Sequence, residues 1–366
     1  MVSLERARKT FNLEPVEGGF ALSEYIVHPE FLQSVSGMDP FEFPRESHAK
    51  AYKELDVDFV AVLPDATVGL EEGADTLALN DEGAKTTRWG TGGGSVWVST
   101  LPFKTVEEVL EYDPLSCKAG TYPYGMAEDP HKSVDEIATA LQRVMESQWA
   151  YSKGDFMIAG GNYFVLFHYF VSTFGYDLFC DAAYMYPDQF RKLLEKLAEL
   201  SYKTSLAWAK TSIEAFICHD DIAGTYGTIF PPDWLREHIF PRYREILEPI
   251  HRAGKKILFF SDGNYTSVLD DLEKLPFDGL VFKPHIDLKM MIDRFGGRRC
   301  LMGNADVRIL TFGTKQDIRN EVDRCVSLGS GVPGYILFVS GHLPQGIPLE
   351  NIQFYFEEVA RRRNGK

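Results

Sequence analysis

Six unbroken apolar runs in this chain each end on a polar residue, usually beside a glycine, and each is followed by a segment with helical periodicity. They are DFMIAGGN (Asp155 to Asn162), AFICHDD (Ala215 to Asp221), KILFFSDGN (Lys256 to Asn264), GLVFKPH (Gly279 to His285), RCLMGNAD (Arg299 to Asp306) and YILFVSGH (Tyr335 to His342). Runs that do not alternate are what strands covered on both faces look like, which is the condition of a parallel sheet. Strand followed by helix over most of a chain predicts an α/β fold closed as a (β/α)8 TIM-type barrel, whose chemistry sits at the C-terminal strand ends. Those ends carry His219, Asp220, Asp221, Asp262, His285, Asp306 and His342.

The 366 residues suffice for one barrel of about 250 residues and an extension. The expectation is a single domain, 1–366, with a helical or irregular N-terminal extension over 1–53 and the barrel over 54–366. DFVAVLPDA (Asp58 to Ala66) reads as a strand ending near Asp65. TTRWGTGGGSVWVS (Thr86 to Ser99) reads as an inserted β-hairpin, with aromatic and β-branched residues on both sides of its glycines. Its GTGGG is not a phosphate loop, because no Lys-Ser/Thr follows and the continuation is strand-like. Ser133 and Glu136 stand in capping-box spacing before a face of Ile137, Leu141, Val144 and Met145. Pro187 and Asp188 open a second helix with Leu193, Leu194, Leu197 and Leu200 on one stripe.

Lys plus Arg number 38 against 53 Asp plus Glu, a net charge of −15, which argues against nucleic acid and anionic membrane as partners. The five cysteines are odd in number and form no C-x-x-C pair, so no disulfide framework is expected. MVSLERARKT has charges where a signal peptide needs an apolar core, and both facts point to the cytoplasm. Tyr163 to Cys180 is apolar enough to suggest a membrane span, but His168, Asp177 and Gly175 argue against one. It is either core packing or one wall of an aromatic ligand pocket.

HDDIAG (His219 to Gly224) sets three titratable side chains in succession at a strand end, so alternate members face the barrel interior and the following loop. One acid of the pair could simply cap the next turn. Asp262 precedes a glycine that lets a ligand approach the backbone, although Asp-Gly is also a common turn. His342 ends the last run as a metal ligand, an acid/base group or a structural histidine.

In their order these segments resemble the uroporphyrinogen decarboxylase superfamily, which includes cobamide-dependent methyltransferases. GNYFVLFHYF is similar to that family's G-x-P-W-T-L-x-x-Y-M segment, HDDIAG to its F-D-S-W-A-G, LMGNADVRIL to its L-x-G-N-x-D-x-x-x-L, and GHLPQGIPLEN to its G-H-G-x-x-P-x-T-P-x-x-N. On that match Tyr169, Asp221 and His342 fall on the family's pocket tyrosine, serine and histidine. The true decarboxylases carry an N-terminal M-R-Q-A-G-R-Y motif whose arginines hold a tetrapyrrole with many carboxylates. Nothing similar occurs before Asp58, so the methyltransferase branch is expected. Zinc-dependent thiol methylators in that branch have His-x-Cys-Gly where this chain has Phe260, Ser261, Asp262 and Gly263. Harder ligands, Asp262 and His342 with His219 or Asp221, would suit Zn2+ bound to an ether or hydroxyl oxygen.

The resemblance therefore implies a corrinoid-dependent methyltransferase that takes a methyl group from a small methoxylated, aromatic substrate to the Co(I) of a corrinoid protein. The expected catalytic residues are Asp221, Asp262 and His342, which would meet the charge of the leaving oxygen. Tyr163, Phe167, Tyr169, His219 and Tyr226 are the expected substrate contacts, and Asp262, His342 and His219 the expected metal ligands. The cobamide is expected on a partner corrinoid protein, since no D-x-H-x-x-G segment occurs. Homodimerisation is expected by analogy with the family. The alternatives are a decarboxylase of a small acid, with Arg88 or Lys283 holding the carboxylate, transfer from a methylcorrinoid protein to an acceptor, and a non-catalytic binding protein.

Overall fold

The computed structural model describes residues 3–61, 78–79, 85–86, 103–116, 130–339 and 341–365. All six apolar runs form strands. With two more they give β1 (Ala21–Ser23), β2 (Phe59–Val60), β3 (Met157–Ile158 and Gly160–Asn162), β4 (Ala215–His219), β5 (Lys256–Phe260), β6 (Gly279–Val281), β7 (Cys300–Met302) and β8 (Tyr335–Phe338). Every pairing among them is parallel. The first half of β3 pairs with β2 and the second half with β4, so the ring closes through β3 and the fold is a (β/α)8 barrel.

One correction concerns where the barrel begins. The segment expected to precede it, 1–53, supplies β1, which lies between β8 and β2. A three-residue strand is too short to show a period, so nothing in FALSE marked it. The first helix, Ser3–Phe11, stoppers the N-terminal end of the barrel, where Ala7 and Phe11 join the interior side chains. The Phe11 and Phe59 rings meet edge to face at 5.0 Å. Arg6 and Arg363 both pair with Asp56, at 2.8 and 2.9 Å, and with the buried Asp58, tying this helix to the start of β2 and to the end of the last helix, Leu349–Arg363.

Strand alternation divides the core in two. Ala215, Ile217, Leu258, Val281, Ile336 and Phe338 face inward. Phe216, Cys218, Phe259, Leu280, Leu301 and Leu337 face the helices. The expected helices are present: Ser133 and Glu136 form a capping box ahead of Val134–Ser152, and the four expected leucines of Pro187–Ala209 are buried. Ile137, Leu141 and Met145 are buried as expected, but Val144 is exposed. The expected hairpin from Thr86 to Ser99, apart from Thr86 itself, and Asp65, Arg88 and Cys117 lie outside the described residues. Just before that stretch, Ala78–Leu79 and Lys85–Thr86 form an antiparallel pair. No described helix is long and apolar enough to cross a membrane.

Candidate active site

The inward positions of the strands continue past their C-terminal ends, and the same alternation decides which polar side chains meet. On β4, Ala215 and Ile217 face inward, so His219 and Asp221 follow them into the mouth, while Asp220 turns outward. Leu258 and Phe260 lead in the same way to Asp262, and Val281 leads to Lys283. Asp221 Oδ1 accepts the Asp262 backbone N–H at 2.7 Å and lies 3.2 Å from His219 Nε2. Lys283 Nζ donates to Asp262 Oδ2 at 2.7 Å. The His219 ring lies flat on Phe260, with centroids 4.2 Å apart, and Tyr163 from the end of β3 packs against the same His219 ring at 4.1 Å, tilted by 56°. His342 meets Tyr25 edge to face at 4.6 Å.

Backbone geometry makes Gly263 obligatory. Its φ is +78°, and a Cβ there would lie 2.4 Å from the Gly224 carbonyl oxygen, so only glycine lets the loop after β5 close over the loop after β4. The Asn264 N–H donates to that same carbonyl at 2.8 Å. Ser261, facing outward, accepts the Ile222 N–H at 3.0 Å and so couples the two loops from the other side.

The electrostatics follow from these contacts. Burial works to raise the Asp221 carboxyl. The hydrogen bond and charge of His219, the Asp262 N–H and the charge of His168 outweigh it and hold the carboxyl at about 2. His342 keeps access to solvent, yet the surrounding protein, then the positive charges of Lys283 and His219, holds its imidazole below the usual range. The Tyr163 hydroxyl is raised by desolvation first and then by the charges of Asp221 and Asp262. Asp220 is wholly buried and raised by that burial. It accepts the amides of Leu166 and Phe167, each at 2.8 Å, the amide of His168, and the Tyr243 hydroxyl at 2.7 Å. It anchors the start of the helix Phe167–Met185.

His219, Asp221 and Asp262 each offer a ligand atom within 4.8 Å of the others, a set with nitrogen and oxygen donors suited to a divalent cation. Among the described residues His342 does not belong to this group, and Asp221 stands where the sequence had suggested His342. Asp262 Oδ1 is buried with no hydrogen-bond partner, an acceptor that a cation would satisfy.

Of the expected substrate contacts, Tyr163 and His219 are in the mouth. Phe167 is buried in the outer layer against Phe179 and Phe230, because the first turn of its helix points it there. Tyr169 is also buried in that layer, its hydroxyl 3.2 Å from that of Tyr112. Tyr226 is fully exposed on the small hairpin formed by Ala223–Gly224 and Gly227–Thr228. Asp306 caps the helix Val307–Phe312 and binds Arg308, and His285 is exposed. Sequence reasoning missed Tyr25 and His168, and gave Lys283 a role only in the decarboxylase alternative. Counting by twos from Val281 finds Lys283, but the other two required knowing that β1 exists and where the helix after β3 starts.

The family described as Uroporphyrinogen decarboxylase (URO-D) matches residues 128–362, well over half of the chain. Two relatives, both described as uroporphyrinogen decarboxylase, are 26% identical over 178 residues (Pelobacter propionicus) and 27% identical over 180 residues (Danio rerio). Those alignments take in 49% and 48% of this chain and 51% and 48% of the relatives, so the match spans about half the length of each. A solved methyltransferase from Methanosarcina mazei superposes with a TM-score of 0.65 at 18% identity, covering 99% of both chains, and shows the same fold. The chain belongs to the uroporphyrinogen decarboxylase family.

Proposed function

We propose that this member of the family is a methyltransferase of a corrinoid system, which takes a methyl group from a methoxylated aromatic compound to the Co(I) of a separate corrinoid protein. The observation that carries the reading is the geometry of two acids in the mouth: Asp221 Oδ1 accepts the Asp262 amide and lies beside His219, contacts that hold its carboxyl well below the usual range. An acid ionised throughout the physiological range repels a substrate that is itself a carboxylate, and the ammonium of Lys283 is already paired with Asp262. A neutral methyl ether meets no such repulsion. The Tyr163 ring, half exposed where it packs on His219, offers an apolar surface for an aromatic ring. The methyltransferase relative agrees in fold with this reading, which rests on the site.

In the transfer, the methyl carbon–oxygen bond breaks with its electron pair staying on oxygen, and the new bond to carbon uses the pair from Co(I). The departing phenolate then needs a proton. Asp221, ionised, cannot donate one at neutral pH, and His342, held below the usual range, is also deprotonated there. That shifts the acid role expected for them onto His219. Asp221 orients its ring through Nε2, leaving Nδ1 to exchange the proton. Were His219 to join Asp221 and Asp262 in holding Zn2+, its ring would no longer be the acid, and the metal would supply Lewis-acid stabilisation of the same oxygen instead.

The test is to mix the protein with reduced corrinoid protein and a panel of methoxylated aromatics while following the cobalt absorbance. A change that requires both the donor and this chain supports the reading. No change with any donor, together with carbon dioxide release from a small acid, replaces it with decarboxylation.

A further inference from the structure

Asp220 and Asp221 grip one residue from two directions. Asp220 accepts the backbone N–H of His168, and Asp221 Oδ2 faces the His168 imidazole, with Nδ1 at 3.8 Å. That nitrogen is buried and has no hydrogen-bond partner, while the ring lies on Phe164 at 4.8 Å, tilted by 20°. A buried ring nitrogen cut off from water is costly unless a protein group satisfies it. Asp221 Oδ2 is the carboxylate oxygen it faces, and closing the gap to about 3 Å takes a small rotation of the imidazole. If stacking on Phe164 were the whole role of the position, a phenyl ring would fill it without that cost.

We infer that His168 is a positioning residue of the site: its Nδ1–H holds Asp221 by Oδ2 and so keeps Oδ1 turned toward His219 and the Asp262 amide. The two oxygens then have separate tasks. Oδ1 serves the group that meets the substrate, and Oδ2 is fixed from behind by a ring whose backbone is itself anchored by the neighbouring acid. The start of one helix and the end of β4 are thereby locked to a single carboxylate orientation. The role in catalysis rests on the methyl-transfer reading above, whereas the hydrogen bond does not.

Two substitutions separate positioning from packing. His168→Asn places an amide N–H near the position of Nδ1 and gives up the stacking, and His168→Phe keeps the stacking and gives up the N–H. The expected result in the cobalt assay is a loss of at least about tenfold in kcat for His168→Phe, with most of the rate kept by His168→Asn. The reverse order overturns the inference. A second measurement needs no turnover: 15N NMR of the ring nitrogens should show the His168 proton on Nδ1, with both resonances moving in Asp221→Ala. A proton on Nε2, indifferent to position 221, overturns the hydrogen bond whatever the chain catalyses. If no donor is turned over at all, the methyl-transfer reading fails and the NMR result alone decides whether His168 holds Asp221.

Discussion

The side chains of Asp220 and Asp221 leave the end of one strand in opposite directions. Asp220 enters the helix layer to collect three amides and the Tyr243 hydroxyl, and Asp221 enters the mouth beside His219. Adjacent acids of the same type thus have unlike tasks, one structural and, on the proposed reading, one chemical.

The structural task can be measured directly. Asp220→Asn keeps the shape but replaces one accepting oxygen with a donor facing the amides at the start of the Phe167–Met185 helix. Hydrogen bonds to a charged or buried acceptor of this kind are each worth a few kcal/mol, so a loss of about 2–4 kcal/mol is expected in urea unfolding. An unchanged midpoint would show that the helix start does not depend on this carboxyl.

For the chemical task, Asp221→Asn should lower kcat in the cobalt assay by about a hundredfold or more, because His219 loses the group that orients it. Substrate affinity should change much less, since Asp221 lies behind the ring that meets the substrate. Equal losses in kcat and affinity would instead make Asp221 a binding residue.

Glu24 offers a test of linkage away from the site. It is buried just after β1, accepts the Tyr355 hydroxyl at 2.6 Å and the Val339 N–H at 3.2 Å, and burial pushes its carboxyl up to about 8 against those hydrogen bonds. A carboxyl raised on folding contributes stability that is complete below its unfolded value of about 4.5 and is lost as pH rises through about 8. Glu24→Gln removes that titration while keeping the acceptor. The melting temperature of the variant should therefore rise relative to the native protein between pH 5 and 9. A constant difference across that range would contradict the assignment.

Gly263→Ala should cost more than about 1 kcal/mol, because the new Cβ is strained by its φ and collides with the Gly224 carbonyl. Asp262 is the preceding residue, so activity should fall with stability. A fully active, equally stable variant would mean that the two loops are free to separate.

Zinc binding to the chelator-treated protein, followed by calorimetry, should weaken by at least about tenfold in His219→Ala and in Asp262→Asn, and should be largely unaltered in His342→Ala. Dependence on His342 instead would restore the ligand set suggested by the sequence.

How much of this was legible before the structure depends on length and direction. The six long apolar runs were readable because a strand covered on both faces has nowhere to place a polar residue until it leaves the sheet. β1 was not, for Ala21, Leu22 and Ser23 are too few to display any pattern. Alternation along β4 predicted that Asp220 and Asp221 would part company, but not which would go inward, since that is set by the register of β4 against β5. Phe167 was placed beside the mouth on nearness in sequence and Tyr169 also on the family resemblance, and the helix that carries them turns both into the outer layer. Lys283 sits two residues beyond an inward-facing valine, which the same counting would have found.

The helix that stoppers the barrel has one more consequence. With Ala7 and Phe11 filling the far opening, the described residues leave the polar cluster a doorway at the C-terminal strand ends. On the proposed methyl transfer, donor and corrinoid protein would share that doorway, so the smaller donor would enter first and the larger arrival would shut it in. Arrival in the opposite order would leave the first comer blocking the way.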